Sequence, residues 1–157
     1  MNGGLAEGPR GRWPSSRAVG ARMSVMVTGL GHAADIGTAA SRFHAVHDAL
    51  GRQIDLDPIR LLLARIVEAW RPEQIWLFGS RARGEAQALS DWDLFAVVPD
   101  DVPEDQLGPL ASWRLRKESR TRADILPCHT AAFREDHDTP NTMAYEVTRE
   151  GILLYER

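Results

Sequence analysis

Two aspartates separated by one residue, Asp91 and Asp93, point more directly to chemistry than any other residues in this 157-residue chain. On a strand, side chains alternate between the two faces, so both carboxylates would share one face, about 7 Å apart, with Trp92 on the other. Like charges so placed raise each other's pKa unless a cation lies between them. Magnesium prefers a few carboxylates together with the phosphate oxygens of a substrate. The pair therefore indicates a magnesium site; the alternative is a turn aspartate followed by a solvated strand residue.

A third acid, Asp124, lies within a short apolar segment predicted to be a strand, where aspartate is disfavoured. An acid on a neighbouring strand could complete a two-metal site, in which the ions lie roughly 3.5–4 Å apart. The alternative is an aspartate that faces outward from a half-exposed strand.

A phosphate-binding turn is predicted upstream of the two aspartates. A strand over residues 75–78 ends at Gly79, and Ser80 begins a tight turn or a short helix. Glycine allows the backbone to approach a ligand closely, and successive N–H groups at such a turn face an anion. The Ser80 hydroxyl and the charges of Arg81 and Arg83 would suit a triphosphate. Gly-Ser turns near arginines are common, so this half of the pattern is weak when taken alone.

Alternating helices and strands must position these residues. The helices are predicted over residues 38–50, 57–71, 104–119 and 142–150, and the strands over 75–78, 91–98, 122–127 and 152–155. This order predicts an α/β (α+β) fold with a small mixed sheet of about four strands. Residues 1–37, rich in Gly, Pro, Ser and Arg, are predicted to be a disordered basic extension. Residues 38–56 are predicted to be a helix and linker, and 57–157 the functional domain.

Composition limits the classes of partner. With 43% hydrophobic and 26% charged residues, the chain resembles a soluble globular domain, and no apolar run approaches a membrane span. The single cysteine, Cys128, excludes an internal disulfide framework and indicates a cytoplasmic location. The net charge is −3, and residues 1–22 carry four arginines against one glutamate, so the rest of the chain is distinctly acidic. This balance argues against a strong nucleic-acid footprint.

The three elements together resemble the nucleotidyltransferase superfamily, which includes the palm-like domain of DNA polymerase beta and the aminoglycoside nucleotidyltransferases. The shared pattern is Gly79-Ser80, then ten residues, then Asp91-x-Asp93, then a third acid on a later strand, here Asp124.

The finer strings at residues 79–84 and 90–94 resemble those of the prokaryotic minimal nucleotidyltransferases (MNT domains). These are commonly encoded beside a HEPN-domain ribonuclease toxin, to which they act as antitoxins. The resemblance covers about residues 57–157.

The resemblance implies roles for individual residues. Asp91 and Asp93 would bind two Mg²⁺ ions, with Asp93 as the bridging ligand. Asp124 would hold the catalytic ion and orient or deprotonate the acceptor hydroxyl. The implied nucleotide-binding residues are Gly79, Ser80, Arg81, Arg83 and Ser90.

The activity implied is the transfer of AMP from ATP to a hydroxyl acceptor, a tyrosine of a partner HEPN toxin. Two alternatives remain, a non-catalytic antitoxin that acts by binding and an antibiotic-type enzyme that modifies a small molecule. The complete set of aspartates argues against the first alternative. Against the second is the small domain, which leaves no room for a partner domain that encloses a substrate. Trp113 and residues 133–145 are the predicted partner contacts.

Overall fold

The computed structural model describes residue 43 and residues 45–157. The strands are β1 (Val46–His47), β2 (Gln53–Ile54), β3 (Gln74–Phe78), β4 (Trp92–Val98), β5 (Ala123–His129) and β6 (Ile152–Glu156). The α-helices are α1 (Arg60–Trp70), α2 (Gly79–Arg83), α3 (Pro109–Ser119), α4 (Thr130–Asp136) and α5 (Met143–Glu150). Short 3-10 turns lie at Asp57–Ile59 and Glu104–Gln106.

Four strands form one mixed sheet in the order β5-β4-β3-β6. Strand β3 runs antiparallel to both β4 and β6, whereas β4 and β5 are parallel. The end of β3 therefore meets the beginnings of β4 and β5 at one edge of the sheet. The predicted α/β class and the mixed sheet of about four strands are confirmed.

The larger core lies between the sheet and helices α1 and α3. Helix α1 presents Leu62, Leu63 and Ile66 to this core, all at 0% exposure, because its apolar residues recur at helical spacing. Burying each such side chain stabilises the fold by about 1.5–3 kcal/mol. Trp70 is the last residue of this helix, and its indole Nε1–H donates to the Gln106 carbonyl over 3.0 Å.

The opposite face of the sheet carries a smaller core. Phe95 and Val97 of β4 pack there with Ala144 and Val147 of α5. The Phe133 ring of α4 lies 6.1 Å from the Phe95 ring. Because side chains alternate along β4, the same face carries Asp93 at the open end of this core.

The helix predicted over residues 38–50 is wrong in its described part. Val46–His47 is a strand that pairs with Gln53–Ile54. Asp48 accepts the amide N–H groups of Leu50 and Arg52, each over 2.9 Å. Such side-chain bonds compete with helical hydrogen bonds and close a turn instead. Residues 1–42 and residue 44 lie outside the described residues, and with them the extension predicted over 1–37.

Two further helical predictions differ from the structure. The helix predicted over 104–119 is split, because Gly108 is extended and Pro109 begins a new helix, a position where its missing N–H costs nothing. Helix α4, Thr130–Asp136, follows β5 directly and was not predicted. In the described part of the chain, no helix has the length and apolar character needed to cross a membrane.

Candidate active site

The three predicted aspartates lie at the edge where β4 and β5 begin. Asp93 is the second residue of β4, and its register partner on the parallel strand β5 is Asp124. Neighbouring strands are about 4.8 Å apart, so these two carboxylates leave the same face side by side. Asp91 immediately precedes β4, where the Trp92 amide donates to the Arg122 carbonyl over 3.1 Å. Sheet register, rather than sequence proximity, brings Asp124 to the other two acids.

Gly79 lies directly against Asp93. The antiparallel register pairs Phe78 with Asp93, so the residue that follows β3 meets this side chain. Gly79 has a φ of +70°, and a Cβ added there would lie 2.1 Å from Asp93 Oδ2. Only glycine satisfies both the left-handed backbone and this close approach. The Gly-Ser turn and the Asp-x-Asp pair are therefore two parts of one site.

Asp93 is the least favourably placed charge of the three. Burial raises the pKa of its carboxyl above the ordinary value, and the neighbouring carboxylates of Asp124 and Asp91 raise it further. Arg83 and Arg81 act in the opposite direction without reversing the shift. The site thus holds more negative charge than the protein itself compensates around Asp93, which favours the binding of a cation.

The carboxylates of Asp91 and Asp124 each face an arginine. Arg116 Nη1 lies 3.1 Å from Asp124 Oδ1 and also donates to the Ala123 carbonyl over 3.0 Å. Arg122 Nε lies 3.0 Å from Asp91 Oδ1, an ion pair whose geometry is not that of a hydrogen bond. Buried Asp91 Oδ1 has no hydrogen-bond partner within the described residues.

The carboxylate oxygens of the three aspartates are of the kind that magnesium prefers, although the three side chains do not converge on one point. Within the described residues, no three acidic, histidine or cysteine side chains are close enough to enclose an ion. The carboxylates instead point toward Arg116 and Arg122. The three carboxylates supply the all-oxygen donor set that Mg²⁺ takes. The buried Asp91 Oδ1, which accepts no hydrogen bond from the described residues, and the raised pKa of Asp93 both favour a cation here. Cation binding would require Asp91 and Asp124 to exchange their arginine partners for the ion.

The predicted nucleotide-binding residues divide into two groups. Gly79 and Ser80 begin α2 beside Asp93, as the expected turn requires. The Ser90 hydroxyl accepts the Gln87 amide over 2.9 Å and so stabilises the loop before β4.

The two arginines of α2 differ in their contacts. Arg81 donates to the carbonyls of Ser90 and Asp91, whereas Arg83 forms a surface pair with Glu85 over 2.9 Å. Of these two arginines, Arg83 is held only by an exposed carboxylate, so it is the one more easily redirected to a phosphate.

Sequence reasoning missed the arginines that pair with the acids. Arg122 lies two residues before Asp124 on the same segment, a spacing that could have drawn attention to it. Arg116 lies on α3, and no motif in the surrounding residues indicated that it would pair with Asp124. Burial raises the pKa of the Cys128 thiol, and the charges of Asp136 and Asp100 add to the effect.

A cleft of about 570 Å³ lies beside the site, between the β1–β2 hairpin and the loop before β4. Its walls include the predicted nucleotide-binding residues Arg81 and Ser90, together with Arg52, Trp92, Arg120 and Arg122, but none of the three aspartates. The three carboxylates therefore lie outside the lining of this cleft. We assign the site to the carboxylates, because their chemistry and register converge there.

Comparison with solved structures found four matching chains, of which two illustrate the similarity. One is a toxin–antitoxin crystal structure with AMP-PNP, at 20% identity and a TM-score of 0.45, covering 66% of this chain and 75% of that chain. The other is a candidate nucleotidyltransferase from Sulfolobus solfataricus, at 16% identity and a TM-score of 0.43, covering 82% of this chain and 94% of that chain. Comparison with curated proteins gave no significant match.

The family itself is shown by sequence. The family model described as "Polymerase beta, Nucleotidyltransferase" matches residues 63–157, more than half of the chain. This range contains the Gly79-Ser80 turn and all three aspartates. The chain belongs to the polymerase beta nucleotidyltransferase family.

Proposed function

We propose that this chain is a cytoplasmic, Mg²⁺-dependent transferase that moves AMP from ATP to a hydroxyl group, and that the acceptor is a tyrosine of a co-encoded HEPN-domain toxin. The observation that carries the transferase proposal is the contact of Gly79 with Asp93, beside Asp124 in register. This arrangement joins a phosphate-binding turn to a carboxylate cluster in a member of a nucleotidyltransferase family.

The chain's own residues supply positioning and charge. Asp91, Asp93 and Asp124 would hold two magnesium ions, which when bound neutralise the charge of the triphosphate. Gly79 and Ser80 bind its β and γ phosphates through backbone N–H groups and the Ser80 hydroxyl.

The exposed Asp124 carboxylate orients the acceptor hydroxyl and accepts its proton, as its 65% side-chain exposure permits. The acceptor oxygen bonds to the α-phosphorus, the bond to pyrophosphate breaks, and pyrophosphate leaves. Positioning and charge neutralisation supply most of the catalysis of such transfers.

A protein acceptor fits the small size of the domain. The described residues form a four-stranded sheet with helices on both faces and a two-stranded hairpin, and they include no second unit that could enclose a small molecule. The acceptor would therefore bring its own surface, and an interface of standard size needs about 800 Å² from each partner.

Exposed apolar side chains offer candidate contacts on both sides of the sheet: Trp113 at 47% and Leu110 at 59% exposure on α3, and Met143 at 37% on α5. Aromatic residues are enriched at interface centres. The predicted Trp113 contact lies on the α3 side and the predicted segment 133–145 on the α4–α5 side, where Phe133 itself packs on Phe95.

The test is co-expression with the neighbouring gene, followed by mass spectrometry and in vitro labelling. ATP labelled on the α-phosphate should label a partner tyrosine, whereas label on the γ-phosphate should leave as pyrophosphate. Asp93→Asn should abolish the labelling. Asp101→Asn is the matched control, since this exposed aspartate lies beyond the other end of β4. An unmodified partner that is still inhibited would favour the binding-only antitoxin, and a labelled small molecule would favour the antibiotic-type enzyme.

A further inference from the structure

Arg81 links the two halves of the candidate site. Its Nη2 donates to the Ser90 carbonyl over 2.6 Å, and its Nε donates to the Asp91 carbonyl over 3.2 Å. The guanidinium lies over the Trp92 ring, with Cζ 4.0 Å from the ring centroid. Trp92 is itself buried in the larger core. Helix α2, which carries Gly79 and Ser80, is thus tied to the residues just before β4.

These two hydrogen bonds restrain the backbone on both sides of Asp91. Each peptide unit is planar, so holding its carbonyl oxygen fixes the orientation of the whole unit. The Ser90 carbonyl belongs to the unit before the Asp91 Cα, and the Asp91 carbonyl belongs to the unit after it. Fixing both units sets the backbone dihedrals of Asp91 and therefore the direction in which its carboxylate leaves the chain.

The same contacts engage the Arg81 guanidinium, so it is poorly placed to bind a phosphate. Two of its donors are directed at main-chain carbonyls, and the aromatic ring holds the guanidinium plane. A phosphate would have to displace these partners. Arg83, two residues along α2, forms an ion pair with the exposed Glu85 and no other ion pair or side-chain hydrogen bond within the described residues.

We propose that Arg81 is a positioning residue, which orients Asp91 toward the site through the carbonyls of Ser90 and Asp91 and does not bind the nucleotide. The proposal rests on the transferase function proposed above.

The test uses the full chain and two substitutions. Arg81→Met keeps an unbranched side chain over Trp92 but removes every donor, and Arg81→Lys keeps the charge but loses the planar pair of donors. Arg83→Met is the matched reference, because it removes the same charge two residues away.

Hydrogen exchange is measured first, on the protein without metal or acceptor. The reporters are the amides of Ser90 and Trp92, which donate to the carbonyls of Gln87 and Arg122. Exchange at both should accelerate by about tenfold or more in Arg81→Met and Arg81→Lys, because local protection depends on the restrained loop. In Arg83→Met the two amides should exchange as in the wild type. Unchanged exchange in both Arg81 variants would overturn the proposal.

Kinetics and nucleotide binding are measured second. Both Arg81 variants should lower kcat on the order of 10- to 100-fold, because small displacements of a catalytic group are costly. The KM for ATP and the affinity for a fluorescent ATP analogue should change by less than about threefold, the pattern of an interaction that serves the transition state. A phosphate ligand would give the reverse, a weakened affinity in Arg81→Met that Arg81→Lys largely restores, and that result would overturn the proposal.

The two readouts separate this proposal from the proposed function. Exchange requires no acceptor and no turnover, so it decides whether Arg81 restrains the loop even in a chain that transfers nothing. A wild-type protein without transferase activity would refute the proposed function while leaving the exchange result interpretable. If Arg81→Met fails to fold, the exchange and binding results for Arg81→Lys are sufficient to test whether Arg81 is a positioning residue.

Discussion

Replacing Gly79 with alanine tests the link between the glycine turn and the aspartates. The φ of +70° at this position strains a residue that carries a Cβ by about 1–2 kcal/mol. The new Cβ would also lie 2.1 Å from Asp93 Oδ2, a distance that real Cβ contacts do not show. Relieving this overlap requires Asp93 to move by about 1 Å, and crowding of this kind adds about 1–3 kcal/mol.

Gly51→Ala is a matched control for the backbone strain. Gly51 has a φ of +77°, but a Cβ there meets no atom within 4 Å. We therefore expect Gly51→Ala to lose only about 1–2 kcal/mol and to keep its activity. Gly79→Ala should lose about 2–5 kcal/mol and reduce nucleotide transfer by about 100-fold, since a displacement of about 1 Å in a catalytic group has that effect.

Urea unfolding measures the stability of both variants, and transfer of labelled nucleotide measures their activity. The double variant Gly79→Ala/Asp93→Ala removes the carboxylate that the new Cβ meets, so it should be more stable than the sum of the two single stability changes predicts. The reasoning is refuted if Gly79→Ala and Gly51→Ala have equal stability and equal activity, or if the double variant is strictly additive.

Two further predictions concern the charge of Asp93 and the N-terminal segment. Asp93→Asn should abolish transfer but stabilise the metal-free fold at neutral pH. A carboxyl whose pKa is raised in the folded state contributes stability below its unfolded pKa and loses it as pH rises through the folded value. The difference between wild type and Asp93→Asn should therefore shrink as pH falls from neutrality through the raised folded pKa, and it should level off below the ordinary Asp value of 3.8. Urea unfolding in EDTA from pH 3 to 7 measures this. Deleting residues 1–22, which contain no motif residue, should leave turnover and Tm nearly unchanged, and a large loss of either would show that this segment contributes to the domain.

Much of the architecture could be predicted because its signals are local. The apolar spacing of α1 and the short apolar runs of β3, β4, β5 and β6 each reflect a period that the backbone imposes within one element. Turn chemistry was harder to predict, since Asp48 and Gly51 together close a hairpin where the surrounding residues favour a helix. The 104–119 segment was misjudged for a similar reason, because Gly108 and Pro109 restart the helix.

The sequence by itself singled out the three acids and the Gly-Ser turn, because their residue types and combined spacing predict metal and phosphate chemistry. Only the tertiary structure decided that Asp124 lies in register with Asp93 and that Gly79 lies against Asp93. It also decided that Arg81 donates hydrogen bonds to the carbonyls of Ser90 and Asp91. The physical reason is that strand pairing joins residues far apart in sequence. The partner of each carboxylate is set by the register of the sheet and by the helix packed beside it, and neither is encoded in the residues adjacent to that carboxylate.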